Sequence, residues 1–145
     1  MQHTSNSVEE TASIARGLLD TLKQKENNAL IIGLSGELGA GKTTFMKAFA
    51  DALGIEETIQ SPTFVIMKSY KLQAKSFKLL FHIDAYRLDS GEDLLKLGWK
   101  EIVEDKDNII CIEWPERVLD VLTPDIMIRF EHGKEGENQR KISIT

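Results

Sequence analysis

An eight-residue glycine-rich segment, Gly36-Glu-Leu-Gly-Ala-Gly-Lys-Thr43, limits the folds open to this chain more than any other feature. It follows closely on an apolar run, Ala29-Leu-Ile-Ile-Gly-Leu34, of the kind expected for a strand buried on both faces. Thr43 to Leu53 then reads as a helix ended by Gly54. Strand, glycine-rich turn and helix in this order make the P-loop unit. Such a unit calls for an α/β sheet with the turn at the C-terminal edge of its strand.

The chemistry of the turn follows from what a phosphate chain demands. Several negative charges must be met without bulky side chains in the way. Gly36, Gly39 and Gly41 permit a tight turn in which successive backbone N–H groups point inward at a β-phosphate. The positive end of the following helix adds to this field. Lys42 supplies a mobile ammonium for the β and γ oxygens, and the Thr43 hydroxyl suits a magnesium ion. The expected ligand is therefore a nucleoside triphosphate with Mg²⁺.

Such a site also needs an acidic group to hold the metal or orient an attacking water. Asp84 closes the apolar run Leu79-Leu-Phe-His-Ile83, and Glu113 closes Ile109-Ile-Cys-Ile112. A carboxylate at the C-terminal end of such a strand lies on the same sheet edge as the phosphate turn. The residues alone leave open which of the two binds metal and which positions water. His82, inside an apolar strand, reads as a hydrogen-bonded core group, and Trp99 as a packing residue next to Gly98.

The remaining pattern completes an α/β chain. Ser7 followed by Glu9 and Glu10 starts a helix expected to run to about Lys25, with Ile14, Leu18, Leu19 and Leu22 on its apolar face. Thr63–Leu72 and Phe77–Ile83 read as an antiparallel hairpin across a Gln73-Ala-Lys75 turn. Gly91–Leu97 reads as a short helix, Asn108–Ile112 as a strand, and Ile126–Phe130 with Lys141–Ile144 as a closing hairpin around Gly133 and Gly136. The order of the strands is not set by the pattern.

With 145 residues, 41% of them hydrophobic and 28% charged, the chain suits a single domain over 1–145 with one sizeable core. A formal net charge of −5 argues against strong, non-specific attraction to nucleic acid or an anionic membrane. One cysteine, Cys111, cannot form an intramolecular disulfide, and it reads as a small buried side chain. No run approaches the ~20 apolar residues of a membrane span, and the polar first ten residues do not read as a secretory leader. A soluble, cytoplasmic setting is expected.

Four segments together point further: Gly-Glu-Leu-Gly-Ala-Gly-Lys-Thr-Thr at 36–44, Ser-Pro-Thr-Phe at 61–64, His-Ile-Asp-Ala-Tyr-Arg-Leu at 82–88 and Glu-Trp-Pro-Glu at 113–116. In this combination and order the chain resembles the bacterial TsaE (YjeE) family, small ATPases of tRNA threonylcarbamoyladenosine (t6A) biosynthesis. The resemblance covers nearly the whole chain. It implies a P-loop NTPase-like fold, with a mixed, largely parallel sheet flanked by helices.

Carried over by position, the resemblance makes Gly36, Gly39, Ala40, Gly41, Lys42, Thr43 and Thr44 the triphosphate cradle. Thr43 and Glu113 become the magnesium ligands, and Asp84 the water-orienting or base-like residue of hydrolysis, with Lys42 and Glu113 completing the catalytic set. It places Thr11 near the base and makes Ser61-Pro62-Thr63 a switch-type segment by the γ-phosphate. Trp114 stacks on the base, lines the site or packs in the core. Tyr86 and Arg87 are structural or partner-facing. The family commonly carries Gly-Arg in its tail, with that arginine near the nucleotide. This chain has Gly136-Glu-Asn-Gln-Arg140 instead, so Arg140 takes that role through a shifted register or the contact is missing.

The resemblance also implies ATP rather than GTP, and the sequence has no Asn-Lys-x-Asp guanine-reading segment. It implies partnership with a TsaD-like threonylcarbamoyl transferase and a TsaB-like protein, weak hydrolysis alone, stimulation by that pair, and contact with tRNA through the complex. Two rival readings have less support. A small P-loop kinase needs an arginine-bearing lid, and no arginine-rich segment is present. A nucleotide-gated binding module without hydrolysis leaves the Asp84 and Glu113 pair unexplained.

Overall fold

A computed structural model describes residues 1–37, 39–57, 66–72, 77–136 and 138–145. Strand β1 spans Gln2–Ser5 and helix α1 spans Val8–Thr21. The Glu10 N–H donates to the Ser7 Oγ at 3.1 Å, and the Glu10 carboxylate accepts from the Asn6 N–H at 2.6 Å. This reciprocal pairing closes the start of the helix much as a capping box does. Leu18, Leu19 and Leu22 are buried, and Ile14 packs at the margin of the core.

Helix α1 stops at Thr21, short of the expected Lys25, because Leu22 turns extended. Gln24 Nε2 donates to Asp107 Oδ1 at 2.6 Å, and Lys25 Nζ to Asp125 Oδ1 at 2.9 Å. Tertiary hydrogen bonds thus outweigh the helix propensity of a Lys-Gln-Lys run.

Strand β2 covers Leu30–Gly36 and α2 covers Lys42–Ala52, with Gly54 at φ +79° beyond it. Strands β3 (Met67–Lys71) and β4 (Leu79–Asp84) follow and pair antiparallel, as the hairpin reading expects. The turn at 73–75, the start of the expected strand at 63 and the segment 61–63 lie outside the described residues. The expected helix at Gly91–Leu97 is α3, Gly91–Leu95. Gly98, at φ +86°, then starts α4 over Trp99–Glu104, a second helix that the sequence reading did not separate. Strand β5 (Asn108–Glu113), a 3-10 turn at Pro115–Val118, and strands β6 (Ile126–His132) and β7 (Arg140–Ile144) complete the chain.

Among the described residues these strands form one seven-stranded sheet in the order β1-β7-β6-β2-β5-β4-β3. The central strands β6, β2, β5 and β4 run parallel, and the flanking pairs are antiparallel. The expected mixed α/β sheet, parallel at its centre, is what forms. Strand β2 sits between β5 and β6 although both come much later in the chain, so its C-terminal end opens at a topological switch point.

Two apolar layers cover the sheet. On one face Ile32, Leu34, Ile109, Cys111 and Leu80 pack with Phe45, Met46 and Phe49 of α2 and the leucines of α1. On the other, Ile31, Ile83, Ile110 and Ile112 pack with Leu94, Trp99 and Val118. Alternation along β4 puts Leu80, His82 and Asp84 on the α2 face and Ile83 on the other. Asp84 thereby shares its face with the helix that follows the glycine-rich turn.

Candidate nucleotide site

The turn is built by backbone that other residues resist. Gly39 and Gly41 hold φ of +78° and +106°, and Gly36 holds +150°. A Cβ on Gly36 would lie 2.5 Å from the Phe130 carbonyl oxygen, because Gly36 pairs with Phe130 across the parallel β2–β6 junction. Gly41 precedes α2 and offers no side-chain cap, so the first N–H groups of the helix face the turn uncapped. A helix end in that condition attracts anions. Ala40 is buried, Thr44 half-buried and Thr43 exposed at the first turn of the helix.

Lys42 is only 5% exposed. Its Nζ donates to the Gly36 carbonyl oxygen at 2.6 Å and stands 4.4 Å from the centroid of the Trp114 ring. Burial pulls its pKa below the ordinary lysine value, and the nearby carboxylates of Glu113, Asp84 and Glu116 work in the opposite direction. The ammonium is thus held between an aromatic face and an acidic group.

The carboxylates arrive by sheet register. Asp84 and Glu113 are the last residues of β4 and β5 and are direct partners across that parallel pair. Glu113 in turn stands opposite Leu34 of β2, two residues before Gly36. Glu113 is buried, and its Oε2 lies 2.8 Å from His82 Nε2. A carboxylate oxygen accepts, so Nε2 carries the proton. His82 Nδ1 is buried with no hydrogen-bond partner among the described residues. Asp84 accepts the Tyr86 N–H at 3.0 Å. Burial raises its carboxyl pKa above the usual 3.8; the Tyr86 hydrogen bond opposes this, the Glu113 charge adds to it, and Lys42 and His82 oppose it.

Trp114 lines this group as well as flanking the core. Among the described residues it is the only non-glycine at positive φ, +58°, and its N–H bonds the Leu34 carbonyl at 3.2 Å. Such a conformation costs of order ~1–3 kcal/mol and persists where the surroundings enforce it. Beyond Trp114 the rings of Tyr86 (5.1 Å between centroids) and the Arg117 guanidinium (5.3 Å from the Tyr86 ring) continue the stack outward.

The structure links the other expected residues through β1. Arg140 begins β7, and its Cγ, Cδ and Nε lie 3.6 to 3.9 Å from a Cβ built on Gly41, so the side chain lies along the glycine-rich turn. Ser5 is the register partner of Arg140, and the Ser5 Oγ is hydrogen-bonded to Thr11 Oγ1 at 2.7 Å in the interior. Thr11 is thus tied to the turn through Ser5 and Arg140, with its hydroxyl engaged by Ser5. Ser5 went unnoticed in the sequence because a four-residue polar strand gives no apolar alternation to find. The same holds for a cleft of about 360 Å³ beside the turn, lined by Ser35, Gly36, Glu37, Ala40, Arg129, Phe130, Glu131 and His132. Its β6 wall depends on tertiary register. Cys111 is fully buried, and burial pushes its thiol far above the usual range, in keeping with a packing role.

The donors present fit a magnesium–triphosphate ligand. Glu113 and the Thr43 hydroxyl are hard oxygen donors suited to Mg²⁺, and a glycine turn with an uncapped helix end suits phosphate.

The sequence model of a family described as threonylcarbamoyl adenosine biosynthesis protein TsaE matches residues 5–142. The chain belongs to the TsaE family. Among relatives, this TsaE-family chain is 40% identical to the tRNA threonylcarbamoyladenosine biosynthesis protein TsaE of Rickettsia conorii, over 98% of its own length and 76% of the relative's. It is 35% identical to the Bacillus subtilis protein of the same name, over 94% of this chain and 80% of that one. The crystal structure of Bacillus YdiB superposes with a TM-score of 0.67 at 26% identity, covering 99% of this TsaE chain and 83% of YdiB. Its family is thus one of t6A biosynthesis proteins. Among the described residues no helix is long and apolar enough to cross a membrane.

Proposed function

We propose that this TsaE-family chain binds ATP with Mg²⁺ at the 36–44 turn and hydrolyses it as an accessory step of t6A modification of tRNA. The observation that carries the reading is the pairing of Asp84 with Glu113, in register at the sheet edge where Lys42 and the glycine turn also end. A turn that served only to reverse the chain has no use for two half-buried or buried carboxylates beside a buried ammonium.

Each side chain has a task on this reading. Backbone N–H groups of the turn and Lys42 hold the phosphates, Thr43 and Glu113 hold the magnesium, and Arg140 contacts the nucleotide. Bound magnesium neutralises negative charge that develops on the phosphoryl oxygens. Asp84 orients the attacking water and takes its proton, a task helped by a carboxyl whose pKa burial has raised. Trp114 shields Lys42 from bulk water on one side.

A TsaD-like transferase with its TsaB-like partner completes the system, and tRNA is met through that complex. The net charge of −5 suits this better than strong direct tRNA binding. Hydrolysis is expected to be weak alone and to rise when the pair and tRNA are added, measured as phosphate release. Partner-independent turnover at an ordinary enzyme rate contradicts the accessory role. Asp84→Ala is expected to lower hydrolysis ~10²–10⁴-fold while nucleotide binding stays near wild type. Unchanged turnover removes Asp84 from the mechanism.

A further inference from the structure

His82 is buried, on the same face of β4 as Asp84, and it is hydrogen-bonded to Glu113. Among the described residues its one side-chain hydrogen bond is the 2.8 Å link from Nε2 to Glu113 Oε2, and its other ring nitrogen has no partner. A histidine kept only for packing has no reason to hold an unsatisfied buried nitrogen, since an apolar side chain of similar size fills the space without one.

We infer that His82 is a positioning residue, an imidazole whose Nε2–H ties down one oxygen of Glu113 so that the other faces the cation site. The inference rests on the proposed magnesium role of Glu113. The geometry supports it in three respects. The bond is buried, so water does not compete for the carboxylate. The donor comes from the strand next to β5, whose register with β4 is fixed by the parallel pairing of His82 with Cys111 and Asp84 with Glu113. And only one Glu113 oxygen is occupied by this bond, which leaves the second available as a hard ligand. A histidine that grips a metal-binding carboxylate from behind sets the direction of its free lone pairs.

The readout is the Mg²⁺ concentration that half-saturates the tightening of nucleotide binding, followed with a fluorescent ATP analogue. In His82→Ala it is expected to rise roughly 10–100-fold, while binding of the analogue in EDTA stays unchanged. His82→Gln places an amide N–H near the Nε2 position and is expected to recover most of the loss. His82→Asn, whose N–H sits nearer the Nδ1 position, is not. A purely packing role predicts no such split between Gln and Asn.

The unmutated protein gives a second test that no folding defect can confuse. Long-range ¹H–¹⁵N spectra are expected to show a proton on Nε2 of the buried histidine. Proton density on Nδ1 instead, or an equal Mg²⁺ requirement in wild type and His82→Ala, overturns the inference. If wild type itself shows no Mg²⁺-dependent nucleotide binding, the magnesium reading fails first and the inference with it. A normal wild-type response with an unshifted alanine variant sinks the inference alone.

Discussion

Gly36→Ala tests whether the glycine turn is fixed by the β2–β6 junction. The new methyl would lie 2.5 Å from the Phe130 carbonyl oxygen, 3.1 Å from its Cβ and 3.3 Å from its carbonyl carbon. The nearest atom is backbone, in a strand whose hydrogen bonds to β2 fix its place, so it has no rotamer to change. Carbon contacts under 3.0 Å essentially never occur, so the strands must part by about half an ångström. Overpacking of this kind costs about 1–3 kcal/mol. The backbone at φ +150° adds strain of about 1–3 kcal/mol for a residue with a Cβ. The sum, roughly 2–6 kcal/mol, lowers Tm by ~4–24 °C at about 2–4 °C per kcal/mol. Gly17→Ala is the matched control. Gly17 lies inside α1 with nothing within 4 Å of its added Cβ, so alanine there is expected to stabilise by about 0.5–1 kcal/mol. Differential scanning calorimetry on the three proteins decides it. A Gly36→Ala melting point within ~2 °C of wild type, or a Gly17→Ala loss of similar size, refutes the steric account.

Two further outcomes are expected. Asp84→Asn should raise Tm at pH 7.5, because a carboxyl whose folded pKa lies above its unfolded one costs stability wherever both states are ionised. The gain should shrink as pH falls through the raised pKa towards 3.8, since a protonated carboxyl carries no such cost; a pH-independent gain, or a loss at pH 7.5, rejects burial as the cause. Arg140→Ala should weaken nucleotide binding by roughly 10-fold or more, the value of one charge-assisted hydrogen bond, with the melting point within a few degrees; an unchanged dissociation constant by calorimetric titration would return Arg140 to a structural role.

Legibility in the sequence followed how local each signal was. Strand β2, the turn and α2 were plain because adjacent residues carry the whole pattern: an apolar run, glycines, then an amphipathic segment. Asp84 and Glu113 were found because each ends an apolar strand, a signal that needs no knowledge of the partner. Strand β1 and helix α4 were not found. The first is a short polar strand held only by pairing with β7, and the second is divided from α3 by a single glycine at positive φ. Arg140 was undecided because its reach to Gly41 depends on the β6–β7 hairpin, a matter of register and not of spacing. The Glu113 to His82 bond crosses between strands 31 residues apart in sequence, and no pattern along one strand announces it.

Register also explains why the charges end up where they do. Leu34, Glu113 and Asp84 form one row across β2, β5 and β4. One residue of slip in either pairing would turn a carboxylate towards the opposite face of the sheet, into the layer of Ile83 and Ile112. The hydrophobic patterns of β4 and β5 therefore do more than form a core. By forbidding that slip they aim both acids at the phosphate edge. The resulting locality holds Lys42 against Glu113, Asp84 and Glu116, so its balance leans acidic. A bare triphosphate entering it meets repulsion from the carboxylates at a site that water screens poorly. On the proposed reading the divalent cation then tightens binding as well as serving hydrolysis, because it helps to reconcile the phosphates with the acids that the sheet has placed there.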